Sequence, residues 1–424
     1  MQNLVVETRE IAPAEDLLEF ADPREPLAWL RRSDGFVGTG PIVWRVDVGG
    51  GLPAARTRFE ALSHFWSELV DAASVDDAVR LPGTGLVAFG AFAFDEASTM
   101  SSSLVVPSVI IGRHGGRGWI TRIHVAGEPA PGDPHPTTYG PYWAGTVGPG
   151  ALSPDGYQAA VREGLTAIET GEVGKVVLAR DLVGSVPVDA DLRRLARSLS
   201  SGYPDTWTYA VDGIIGASPE TLVTVSGGTV TARVLAGTAP RGADADADVA
   251  ASLALATSSK DLDEHEYAVQ SVLASLRPHT TALAASEQPF TLKLPNVWHL
   301  ATDVEGDLAD GSSALDLVRA LHPTAAVAGT PTDAAIAAIR RIEPFDRGRY
   351  AGPVGWIGSD GDGEWAIALR CAQFPGPIPR GYAEYTAGRR VVAHAGAGIV
   401  AGSDPESELL ETRVKFRPIV DALA

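Results

Sequence analysis

The chain has 424 residues, 45% hydrophobic and 21% charged, a profile that excludes a disordered chain and allows a large buried core. Its 34 basic and 53 acidic side chains leave a formal charge of −19, which argues against nucleic acid or an anionic membrane as partner, since both attract basic patches. The single cysteine, Cys371, rules out an internal disulfide and fits a reducing compartment.

Met1 to Phe20 lacks a basic segment followed by a long apolar one, so it does not read as a signal peptide. No apolar run reaches the ~18 residues of a spanning helix, and a cytoplasmic location is the expectation. Gly40 to Val48, Gly85 to Phe94 and Leu104 to Ile111 read as strands, the last forming a hairpin with the segment after His114. Between the first two, Arg56 to Ala72 has helical spacing. The Pro-rich stretch from Pro129 marks a linker or a long surface loop, dividing residues 1–140 from a core over 150–424.

Ser153-Pro-Asp-Gly-Tyr opens an amphipathic helix with Tyr157, Val161, Leu165 and Ile168 on one stripe, closed near Gly171. Lys175 to Val183 reads as a strand. Thr206 to Gly237 reads as a meander with turns at Asp212-Gly213 and Ser226-Gly227-Gly228. Gly352 to Phe374 and Ala383 to His394 supply further hairpins. Strands in antiparallel pairs and helices in separate blocks predict an α+β fold on large antiparallel sheets.

Two helices share an acidic spacing. After His394-Ala-Gly-Ala-Gly, read as a Gly-rich loop, Asp404 serves as N-cap and Pro405 as first helical residue. Glu408, Glu411 and Lys415 then fall on one face at i, i+3 and i+7. Asp261 and Glu264 repeat the i, i+3 pattern after Ser258. A solvated salt-bridge face explains either helix alone. Facing each other, the two could hold Mg²⁺, which takes oxygen ligands and keeps several waters.

Lys175 shares a strand face with Val177 and Ala179, and an amine held against apolar groups has its pKa lowered, which suits a general base. A snorkelling lysine is the alternative. Glu220, in Ala217-Ser-Pro-Glu, is either a general acid on a sharp turn or the start of a short helix capped by Ser218. His265 and His299 read as satisfied histidines at the edge of the core. Asp360-Gly-Asp-Gly-Glu364 imitates a calcium loop, but Trp365 and Cys371 occupy its sixth and twelfth positions, so it reads as a hairpin turn. Arg370 could clamp a carboxylate or form a structural ion pair. Gly396 and Gly398 could let backbone N–H groups approach an anion.

Taken in order, these segments resemble the chorismate-utilising enzymes, and within them the isochorismate synthases. The resemblance is carried by Lys175-Val-Val-Leu-Ala-Arg, Gly216-Ala-Ser-Pro-Glu-Thr, Leu235-Ala-Gly-Thr-Ala-Pro-Arg-Gly, Lys260-Asp-Leu-Asp-Glu-His and Trp298-His-Leu. Leu321-His-Pro-Thr, Arg347-Gly-Arg-Tyr and the block from His394 to Lys415 complete it, and Ala88 to Asp95 is similar more loosely. The resemblance implies a monomeric α+β fold with two large antiparallel sheets and Mg²⁺-dependent conversion of chorismate to isochorismate. It implies that Lys175 deprotonates the water that attacks C2, while Glu220 protonates the departing C4 hydroxyl.

It further implies Glu264 and Glu411 as metal ligands, with Asp261 and Glu408 behind them. Lys415, Gly396 and Gly398 would hold the ring carboxylate, and Tyr350, Arg370, Gly237 and Thr238 the enolpyruvyl end. His299 and Ala326 complete the implied substrate contacts. Ammonia-using relatives carry Gln at the place of Lys175, and aminodeoxychorismate-forming ones a lysine at the place of Ala236. Salicylate synthases, the closest alternative, have Thr near Ala326. Ala239 departs from the pattern, which commonly has Arg there. A metal-dependent hydrolase and a non-catalytic carboxylate-binding relative are the alternatives from other classes. The residues do not separate a menaquinone route from a siderophore route.

Overall fold

A computed structural model of the chain describes residues 3–49, 57–376 and 388–424. Two predicted features, the helix start at Arg56 and the hairpin segment from Ala383 to Ala387, lie outside them.

Strand Ser102–His114 is a fork from which two antiparallel ladders leave. One edge pairs with Asp34–Val48. From there the ladder runs through Leu27–Arg31, Trp207–Val211, Ile214–Ser218, Cys371–Gln373 and Arg389–Ile399 to Lys175–Val186. The other edge pairs with Val87–Ala91. That ladder continues through Pro353–Gly358, Gly363–Ile367, Thr221–Ser226 and Thr229–Pro240 to Val297–Leu308. The α+β fold and the two large sheets expected from the sequence are both present, joined at one strand. Strands that precede residue 140 enter both ladders and pair directly with strands that follow residue 150.

Local chemistry explains the pairings. Asp212 (φ 47°) and Gly213 (φ 79°) both adopt the left-handed conformation that a two-residue hairpin turn demands. Ser226-Gly227-Gly228 closes the next predicted turn, and Asp360 to Asp362 joins two paired strands as the hairpin reading required. The long predicted helices are observed as Arg58–Ala72, Pro154–Glu169, Ser259–Leu276 and Pro405–Leu423. Thr57 and Glu60 form a capping box on the first, and Ser153, Ser258 and Asp404 cap the others. Trp29, Phe36, Phe89, Phe92, Trp119 and Trp365 are fully buried, each contributing ~1.5–3 kcal/mol of transfer free energy. Cys371 is a buried strand residue, as expected.

Ile214–Ser218 belongs to the first ladder and Thr221–Ser226 to the second, so Pro219-Glu220 is where the chain crosses between sheets. No short helix starts there. Ser218 Oγ accepts from Glu220 N at 3.2 Å and donates to Ile367 O at 2.6 Å, which fixes the crossing.

Candidate active site

The far ends of the two ladders contribute to one cleft. The lining includes Gly237, Thr238, His299, Ala326, Tyr350, Arg370, Gly396, Gly398 and Lys415, the whole of the expected substrate set, together with Glu220 and Glu264. Lys175, Asp261, Glu408 and Glu411 are not part of the lining; Lys175 contacts Glu264 of it, Glu411 contacts Lys415, Asp261 neighbours Gly237, and Glu408 pairs with Lys260.

Two of the expected loops are strands. Gly396 and Gly398 sit within Arg389–Ile399, paired opposite Ala179 and Val177, and Gly396 O faces Lys415. Glycine is needed there for space: a Cβ at Gly398 would stand 2.0 Å from Glu264 Oε1. Gly237-Thr238 is likewise part of strand Thr229–Pro240, where a bulge between Ala236 and Thr238 gives Gly237 a φ of 80°. The bulge seats Gly237 against Asp261.

Lys175 is fully buried at the start of its strand. Its surroundings are not purely apolar as expected, because Nζ lies 3.2 Å from Glu264 Oε1. Glu264 is the charged side chain that partners it. Nζ makes no hydrogen bond of good geometry among the described residues. Glu220, also buried, lines the cleft. Burial pushes its carboxyl up to about 8, although Lys175, Lys415 and Arg370 pull the other way.

Arg370 adopts φ 50°, a conformation that costs about 1–3 kcal/mol and collects at functional sites. Its Nη2 donates to His299 Nε2 at 3.1 Å, while Nη1 has no partner among the described residues. Since arginine only donates, His299 carries its proton on Nδ1, facing Gly237 O at 3.3 Å and Thr238 Oγ1 at 3.1 Å. The expectation of a satisfied histidine therefore holds for His299, which lines the cleft yet has both nitrogens engaged. His265 is satisfied too, between Ala236 O and Thr302 Oγ1.

One ion pair links the two acidic helices among the described residues. Lys260 of one donates to Glu408 of the other at 2.6 Å. Lys415 pairs with Glu411 at 2.5 Å and donates to Gly396 O at 2.9 Å. Burial and the neighbouring Glu411 push Glu408 up to about 7, against the pull of Lys260.

A profile described as chorismate binding enzyme matches residues 146–424. The chain belongs to the chorismate-binding enzyme family. It is 42% identical over 286 residues to isochorismate synthase DhbC of Bacillus subtilis, spanning 64% of this chain and 68% of that protein. The crystal structure of DhbC from Bacillus anthracis superimposes with a TM-score of 0.76 at 30% identity, covering 96% of this chain and 98% of that one. MenF of Escherichia coli, at 24% identity and a TM-score of 0.77, shares the fold over 100% and 95% of the two chains. The matched span contains every site residue named above.

As a chorismate-binding enzyme the chain must also keep its cleft rigid, and here the sequence reading missed a cluster. Glu343 and Arg347 form a buried pair at 2.6 Å. Glu343 accepts from Ala179 N at 2.7 Å, while Arg347 donates to Val177 O at 2.8 Å and Val327 O at 3.0 Å. The pair thus ties the Lys175 strand to the wall carrying Ala326. Arg347 stood in a motif carrying the family resemblance, but only three-dimensional contact reveals its partner. Glu343→Gln strands a buried guanidinium, so urea denaturation should show a loss of about 3–5 kcal/mol. A change below 1 kcal/mol would contradict this role.

The donor set fits a hard divalent cation. No group of three acidic or imidazole side chains forms a ready cage among the described residues. Mg²⁺ needs only one or two carboxylates, with waters and substrate oxygens completing its shell. Glu264 reaches the cleft because Gly398 leaves it room, and a cation would relieve the rise that burial and the neighbouring Glu411 impose on Glu408. Among the described residues no helix is long and apolar enough to cross a membrane.

Proposed function

We propose that the chain is an isochorismate synthase, converting chorismate to isochorismate by adding water at C2 and expelling the C4 hydroxyl. What supports this reading is a buried lysine beside Glu264 of the cleft lining together with a buried carboxyl in that lining, Glu220, which burial pushes up to about 8. A 1,5-exchange of hydroxyls needs such a pair, a base for the entering water and an acid for the departing oxygen.

Lys175 Nζ takes a proton from the attacking water as its oxygen bonds to C2. The ring double bonds shift and the C4–O bond breaks, while Glu220 gives its proton to the leaving oxygen, which departs as water. One water enters and one leaves, so the net change is an isomerisation. Arg370 is suited to the enolpyruvyl carboxylate through its unpartnered Nη1, with His299 and the Gly237-Thr238 bulge fixing the guanidinium. Tyr350 closes that end. Lys415 and the Gly396/Gly398 strand support the ring carboxylate.

Glu264 and Glu411 would hold Mg²⁺, with Asp261 and Glu408 behind them, and the bound ion would grip that carboxylate and draw electron density from the ring. Ala326 lines the cleft near the place where salicylate synthases typically have Thr, which favours release of isochorismate over pyruvate elimination. Incubation with chorismate and Mg²⁺ tests the reading. Treatment with a chelator should reduce turnover at least about a hundredfold, and Mg²⁺ should restore it; full activity after chelation would remove the metal from the account.

A further inference from the structure

His394 was assigned no role above, yet it lines the cleft beside Tyr350. The two rings stack at 5.1 Å and 23°, and Phe345 packs against the imidazole at 5.2 Å. The orientation of this histidine is fixed by a second buried side chain. Gln373 Oε1 accepts from Arg349 N at 2.8 Å and Gln373 Nε2 donates to Arg347 O at 2.9 Å. Both partners are backbone groups of known polarity, so the amide points one way only. Its second N–H therefore meets His394 Nδ1, at 3.3 Å, as a donor.

Nδ1 is thus an acceptor and the proton of the neutral ring sits on Nε2, the side left to the cleft. Burial opposes a second proton: it holds the imidazole down to about 4, with Arg347 adding to burial and Asp181 opposing it. A packing ring would need none of this. Phenylalanine would stack on Tyr350 as well, without asking Gln373 for a hydrogen bond.

We propose that His394 is a further substrate-binding residue, whose Nε2–H donates to an oxygen of the ligand's enolpyruvyl group and selects ligands that carry it. The proposal rests on reading the ligand as chorismate. A neutral donor beside Arg370 adds a directed hydrogen bond without adding charge. A site built to meet such an oxygen also discriminates against ligands that lack it.

Three variants separate binding from packing. His394→Phe keeps the stacked ring and loses the donor; His394→Asn keeps an acceptor near the Nδ1 position and loses the donor; His394→Gln extends an N–H toward the Nε2 position. KM for chorismate should rise about tenfold in the first two with kcat changed less than about threefold, and the Gln variant should recover most of the loss. Wild-type KM in His394→Phe or His394→Asn would overturn the proposal, and if the Phe variant does not fold the Asn variant decides. A wild-type protein that does not turn over chorismate would instead refute the activity. In that case ¹⁵N spectra of the histidines, with the His394 signals identified by their loss in a variant, still test this residue during a chorismate titration. A bare Nδ1, a protonated Nε2 from pH 6 to 8 and a shift of Nε2 on binding are expected; an Nδ1–H tautomer or an unmoved Nε2 signal would overturn the proposal.

Discussion

Lys175→Ala should lower kcat by about 10²–10⁴, the range that a positioned general base supplies. Because the substitution also leaves Glu264 without its Lys175 partner, loss of stability could mimic loss of chemistry. Lys175→Arg separates the two. It keeps a cation for Glu264, whose oxygen lies 3.2 Å from the native Nζ, but a guanidinium does not give up its proton at any working pH. A folded, inactive Arg variant supports the base assignment, whereas an active one refutes it. Thermal unfolding with and without chorismate verifies that each variant retains the cleft.

Glu220→Gln should have a comparable effect, about 10²–10⁴ on kcat, with a distinctive pH signature. Burial raises the Glu220 carboxyl to about 8, so the acid form dominates below that pH and disappears above it. Wild-type kcat should therefore fall about tenfold per pH unit on the alkaline side, and the residual activity of the Gln variant should lack that limb. Stability gives an independent check. A carboxyl whose folded pKa exceeds its unfolded value makes the native state bind more protons between the two, so stability falls as pH rises through that window. Replacement by neutral Gln removes this loss, and the variant should melt higher than wild type near pH 9. An alkaline limb that persists in the Gln variant would assign the acid elsewhere.

Much of this site was legible because its parts are local. Helix starts at Ser258 and Asp404 follow from capping chemistry, and that fixes Glu264, Glu408 and Glu411 on their faces. The Asp212-Gly213 turn predicts its hairpin because few other residue pairs tolerate that backbone. Glycine misled at Gly396 and Gly398 for the opposite reason. Such residues usually signal a loop, but here both lie within a strand, Gly398 clearing space for Glu264 and Gly396 for the Leu178 carbonyl, and both crowding atoms are more than a hundred residues away in sequence.

Glu220 shows a second limit. Ser-Pro-Glu reads locally as a helix cap, whereas the chain is crossing between sheets, and nothing local distinguishes the two. Lys175 was placed correctly and its environment was not, because the counter-charge comes from a separate helix. His394 and Gln373 carry no motif of their own. Their relation depends on the Cys371–Gln373 and Arg389–Ile399 strands lying side by side.

The central claim is that buried Lys175 and Glu220 exchange the chorismate hydroxyl through water. Its most direct measurement is to incubate the purified chain with chorismate and Mg²⁺ and resolve the products by chromatography. Isochorismate should accumulate toward equilibrium without release of pyruvate. No turnover with Mg²⁺ present, or salicylate and pyruvate as the main products, would contradict it.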